Sequence, residues 1–362
     1  MCYLCAMARH APLGAINTRT ARFMDARSPA HSNDASAGAG ESVIIGSGQY
    51  RYRVLDQWGE LPPGMSLYEG TSVCVDSKDN VYVFNRGAHP VIVFDRDGKF
   101  QRSWGEDIGF TRPHGASIGP DDALYLTDDQ GHAVRKCTND GKVLMTIGMP
   151  NKPAPRFSGE PFNLCTHTAL SPKGEIYVSD GYQNARVHKY SPDGKLLRSW
   201  GEPGTAPGQF SLVHNIACDD DGWVYVADRE NHRVQVFDSN GNYETQWNNL
   251  GRPCGLFVTR GTKPLGIIGE LAPDNVASFS RDVPNLGPRV TIVDAAKGDV
   301  LAYVGTRPLG EEPGQFIAPH GIAMDSQGDI YVAEVSTTFW STTFGSKPDH
   351  ELRSLQKLVR VS

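Results

Sequence analysis

HNIACDDDGWVYVADRENHRVQVFDSNGNYETQWNN, residues 214–249, carries four strand signals in succession. HNIAC and WVYVADR flank a D-G turn, HRVQVFDS follows a polar corner, and an N-G turn leads into the last strand, YETQW. Alternating apolar residues between turn formers read as short strands, and D-G and N-G are the pairs that close tight hairpins. The unit recurs along the chain at a period near 40–50 residues, which is the signature of a propeller or solenoid.

Aligning the repeats on the aromatic of their second strand gives Tyr82, Tyr125, Tyr177, Tyr225, a divergent Leu265 and Tyr331, hence six repeats. The last one ends at RSLQKLVRVS without an outer strand, whereas GQYRYRVLDQWG near the start matches the outer-strand endings FQRSWG and LLRSWG. The expected fold is therefore all-β: a six-bladed β-propeller over residues 48–362, closed by strand Tyr50 to Trp58 joining the C-terminal blade. Such closure removes the sheet edges that a broken ring would expose. Residues 1–47, rich in Ala, Ser, Gly and Arg, read as an irregular arm. Within that arm Cys2, Cys5 and His10 look like half a zinc knuckle, with no second C-x-x-C to complete it.

Composition narrows the partners. A net charge of −6 offers no basic stripe for nucleic acid, and no stretch approaches the roughly 18 apolar residues of a membrane span. Met1 to Pro12 lacks a basic region followed by a long apolar one, so a cytoplasmic protein with a small-molecule partner is expected. Seven cysteines, odd in number and scattered, do not form a disulfide framework.

The informative pattern lies eleven residues before each aligned aromatic. Those positions are Thr71, His114, Thr166, His214, Cys254 and His320. In a propeller the innermost strands line the axis, so one repeat position forms a ring, and histidines in blades 2, 4 and 6 meet there about 120° apart. Three neutral imidazoles with one position open form the ligand set of a catalytic zinc; Fe2+, Mn2+ and Co2+ suit imidazole too. Cys254 shares the ring as a wall residue or fourth ligand, and His167, one residue out of register, should point away from the axis. Loops following the second strands reach the same face and carry Arg86, Asp129, Tyr182 and Arg229. An arginine fork suits a carboxylate, and a tyrosine beside a cation can be lowered enough to act as a base. Three long inserts, 148–163, 272–288 and 336–350, fall on this face as walls or lids. By contrast Asp128, Asp180 and Asp228, and His89, His132 and His232, recur at fixed offsets and read as scaffold.

From Tyr50 onward, FNRG, RPHG, VSDGYQNARV, VADRENHRVQVF and APHGI, in that order, resemble the peptidyl-α-hydroxyglycine α-amidating lyases, within the NHL-repeat propellers. The resemblance implies three zinc-binding histidines at His114, His214 and His320, an active-site tyrosine at Tyr182 and active-site arginines at Arg86 and Arg229. It implies cleavage of an α-hydroxyglycine, a substrate bearing a carboxylate and a hydroxyl, into an amide and glyoxylate. Where the family places an aspartate that helps hold a structural Ca2+, this chain has Gly321, which speaks against that ion. Other readings on the same scaffold are a metal-dependent hydrolase or lactonase, a hydratase, and a non-catalytic NHL binding module.

Overall fold

A computed structural model describes residues 42–55, 57–273, 287–305 and 308–361. Cys2, Cys5, His10 and the arm up to residue 41 lie outside the described residues. The five cysteines among the described residues are free, and no helix there is long and apolar enough to cross a membrane.

Five sheets have four strands in simple meander order and one has five. In the blade that opened the sequence reading, Val213–Cys218, Val224–Asp228, Arg233–Phe237 and Tyr243–Trp247 pair antiparallel from the axis outward. The second strand of every four-stranded blade except the fifth reads as five buried residues, because neighbouring blades cover both its faces. Outermost strands such as Leu196–Trp200 are mostly exposed and end on a buried tryptophan. Trp104, Trp200 and Trp247 plug the seams between blades, where Phe94, Phe210, Phe237 and Phe316 are also fully buried.

Closure takes the expected form. Strand Tyr50–Leu55 pairs with Leu355–Arg360, in register Tyr52 with Arg360 and Leu55 with Lys357. Trp58, past the end of that strand, packs on Phe94 and Tyr331 at centroid distances of 5.4 and 5.1 Å. An additional strand, Ile44–Ser47, pairs outside it, so the last residues of the segment read as an arm belong to the sheet.

Blade 5 departs from the sequence alignment. Opposite Ala217 and Ala323 stand Tyr225 and Tyr331, but the equivalent Phe257 faces Ile267, not Leu265. Between its last paired residues, Val258 and Gly266, lie seven residues, two more than the five between Cys218 and Val224. The core position is filled by a fully buried isoleucine where the other blades use tyrosine.

Candidate metal centre

Five of the six ring residues sit at a break in the β ladder, and the sixth, Thr166, directly precedes its strand. His114, Cys254, His320 and Thr71 each sit alone between two paired residues of the innermost strand, and His214 shares such a gap with Asn215. An extra residue in one strand leaves the pleat and turns its side chain out of the sheet. Here it turns along the axis, and the three imidazole centroids stand 4.6, 4.7 and 5.0 Å apart. One ligand nitrogen from each lies within 4.8 Å of the others, and the set is buried.

The three blades without histidine complete the ring. His114 Nδ1 lies 2.7 Å from the Thr166 carbonyl oxygen, His214 Nδ1 2.9 Å from that of Cys254, and His320 Nδ1 2.6 Å from that of Thr71. Each imidazole thus donates Nδ1–H to the ring residue of the following blade, which leaves Nε2 as the lone-pair nitrogen. Burial, and then the neighbouring cationic groups, hold all three well below the ordinary histidine range, so they are neutral.

Tyr182 enters this centre from the loop after the second strand of blade 3. Its hydroxyl is 2.9 Å from His114 Nε2 and 3.1 Å from His214 Nε2. One phenolic proton can satisfy only one of those lone pairs. Several lone pairs converging around a single proton make a site for a cation, and its donor set fits a divalent metal. Burial pushes the Tyr182 phenol up, and Arg229, stacked 5.7 Å over its ring, pulls it down without prevailing. Among the protein's own groups, desolvation outweighs the arginines.

Above the triad opens a cavity of about 260 Å3 lined by Arg86, Tyr182, Arg229 and His320, and by two arginines the sequence reading missed, Arg112 and Arg252. Arg86 pairs with buried Glu69 at 2.8 Å and donates Nε–H to the Pro113 carbonyl. Arg229 and Arg252 share Glu230 at 2.8 and 2.7 Å. Arg112 stands 3.3 Å from Asp129, whose carboxyl is pushed up to about 6 by burial. Arg112, Arg252 and Glu69 all lie two residues before a ring position, a second register beside that of the histidines.

Of the three inserts, 336–350 supplies a helix, Ser336–Phe344, whose Thr338, Phe339, Thr342 and Thr343 wall the cavity. Thr338 fastens it by bonding Glu69 through both N–H and hydroxyl. Insert 272–288 contributes Pro273, its residues 274–286 lying outside the described residues, and 148–163 contributes no lining residue. The scaffold residues do scaffold work: Asp128 accepts from the Thr111, Arg112 and Gly131 amides, Asp180 from Asn163 and Asp228 from Ser211. His132 receives the Leu164 amide. His167 is outside the triad and lines a cavity at the other end of the innermost strands. At Gly321 a Cβ would lie 2.5 Å from Ser72 Cα, so no aspartate fits there and the position offers no calcium ligand.

Residues 210–237 match the NHL repeat. The chain is 31% identical over 300 residues to human NHL repeat-containing protein 3, covering 78% of this chain and 81% of that protein. It is 33% identical over 256 residues to peptidyl-alpha-hydroxyglycine alpha-amidating lyase 1 of Drosophila melanogaster, covering 66% of this chain and 45% of the lyase, so it spans less than half of that relative. Among solved structures, a gluconolactonase from Xanthomonas campestris has a TM-score of 0.56 at 13% identity, covering 90% and 99% of the two chains, a likeness of fold. By repeat, architecture and these relatives, the chain belongs to the NHL-repeat proteins, as a six-bladed propeller similar to NHL repeat-containing protein 3 and resembling the amidating lyases.

Proposed function

We propose that this protein is a metal-dependent lyase that cleaves the C–N bond of an α-hydroxyglycine, releasing an amide and glyoxylate. The observation that carries the reading is the Tyr182 hydroxyl set between two imidazole lone pairs at 2.9 and 3.1 Å. A proton acceptor so close to a cation site would let both act on one substrate oxygen.

A divalent metal held by His114, His214 and His320, zinc first with Fe2+, Mn2+ or Co2+ as substitutes, would supply a Lewis acid that acidifies the substrate hydroxyl and the Tyr182 phenol. Tyr182, as phenolate, takes the hydroxyl proton. The oxygen's electron pair forms the aldehyde carbonyl of glyoxylate, the C–N bond breaks, and the leaving nitrogen recovers the proton to become the amide. Arg86, oriented by Glu69 and the Pro113 carbonyl through Nη1 and Nε, would offer Nη2 to the substrate carboxylate. Arg229 lies over the Tyr182 ring and offsets charge as the phenolate forms. The reading also places the protein in the cytoplasm, with no membrane or nucleic-acid partner.

The test is release of glyoxylate from α-hydroxyhippurate by purified, metal-loaded protein, with Tyr182→Phe as control. No release above that of the Phe variant sinks the lyase, and hydrolysis of a lactone in its place selects the hydrolase reading. Metal content unchanged by His114→Ala, His214→Ala and His320→Ala would leave only a binding module.

A further inference from the structure

The four arginines of the cavity form two pairs on opposite sides of the ring. Arg86 belongs to blade 1 and Arg112 to blade 2, Arg229 to blade 4 and Arg252 to blade 5. In a six-bladed ring those two junctions face each other across the axis, with the triad and Tyr182 between them.

Their charge balance differs. On the first wall each arginine has its own carboxylate, Glu69 for Arg86 and Asp129 for Arg112. On the second wall Glu230 alone accepts from both, taking Nε–H of Arg229 and Nε–H and Nη2–H of Arg252. One positive charge there is uncompensated among the described residues. The side chains of Arg229 and Arg252 are only 13% and 11% exposed, so water screens it poorly. A guanidinium cannot shed its charge, and a partly buried excess cation favours an anion beside it.

Until the Tyr182 phenolate forms, a single-carboxylate substrate held by Arg86 would leave that wall unmatched. We propose that the portion of the substrate that departs as the amide carries its own carboxylate, held by the Arg229–Arg252 wall. This rests on the lyase reading for its first carboxylate and reacting centre. The substrate class is then a small dianion: an N-acyl α-hydroxyglycine whose acyl chain ends in a carboxylate. Arg252 is the specificity residue for that second group.

Titration calorimetry with N-succinylglycine and N-acetylglycine, which lack the reacting hydroxyl, tests the charge match without turnover. The dianion should bind the metal-loaded protein at least about tenfold more tightly, in line with a charge-assisted pair. Arg252→Gln should bring the two ligands to parity without weakening N-acetylglycine, and Arg252→Lys should keep part of the advantage. Equal binding to the unaltered protein overturns the proposal, as does an advantage that survives Arg252→Gln in protein shown to be folded by its melting temperature. Glyoxylate release from the matching α-hydroxyglycines separates the two claims. Release from neither, with the binding advantage intact, removes the lyase and keeps the dianion site; equal kcat/KM for both removes the dianion site and keeps the lyase.

Discussion

Six innermost strands line both ends of the central channel, yet the two ends present different side chains. At one end the ring residues present His114, His214 and His320 beneath four arginines. Two residues further along the same strands, Val73, Ala116, Thr168, Ile216, Leu256 and Ile322 line a cavity of about 430 Å3. What separates the ends is the break in pairing at the ring residue, since beyond it the ladder resumes and side chains return to ordinary sheet packing. The blade repeat thus supplies a uniform frame, and one irregularity, repeated around the axis, makes one end able to hold charge.

If the division is real, changes at the two ends should have separable consequences. The largest is expected from His114→Ala, His214→Ala or His320→Ala: each should lose bound metal and glyoxylate release together, read by elemental analysis and a colorimetric assay. Next, Tyr182→Phe should keep its metal and lower kcat by about 10²–10⁴, the usual worth of a positioned acid–base group; loss of metal in this variant would make the tyrosine structural. From the other end, Ile216→Ala should destabilise the fold by about 2–5 kcal/mol in denaturant titration and leave metal content alone. A metal-binding defect there would erase the distinction.

The smallest effect is on pH dependence. Burial holds His167 down to about 4 and the triad well below its ordinary range. Below about 6.5 the unfolded chain therefore takes up protons that the folded chain refuses. The corresponding stability is complete above that pH and lost as pH falls toward 4, at up to about 1.4 kcal/mol per pH unit for each histidine. The melting temperature of the metal-free protein should drop between pH 7 and pH 5, and His167→Asn should flatten part of the slope without altering metal content. A melting temperature constant over that range contradicts the assignment.

Much of this was legible because a propeller converts sequence period into angular position. Equal spacing before Tyr125, Tyr225 and Tyr331 was enough to bring His114, His214 and His320 together. The same logic slipped at Leu265, where a longer hairpin moved the core position to Ile267 while the bulge kept Cys254 in the ring. Arg112 and Arg252 escaped notice because their register contains Leu164, Leu212 and Ala318 in other blades, with no repeated residue type to mark it. The direction of the Tyr182 shift could not be read from neighbours in sequence, since it depends on how deeply the loop sinks. Nor did spacing reveal why histidines alternate: the intervening carbonyls of Thr71, Thr166 and Cys254 receive the Nδ1 protons.

Ring closure sets a timetable. Strand Tyr50–Leu55 leaves the ribosome long before its partner Leu355–Arg360. Pairing so distant in sequence is slow to form, and the first strand must wait for it. His320 lies in the blade that this pairing completes, so a nascent chain stopped before it can offer at most two of the three imidazoles. A metal held by all three imidazoles would thus require the chain at least as far as His320.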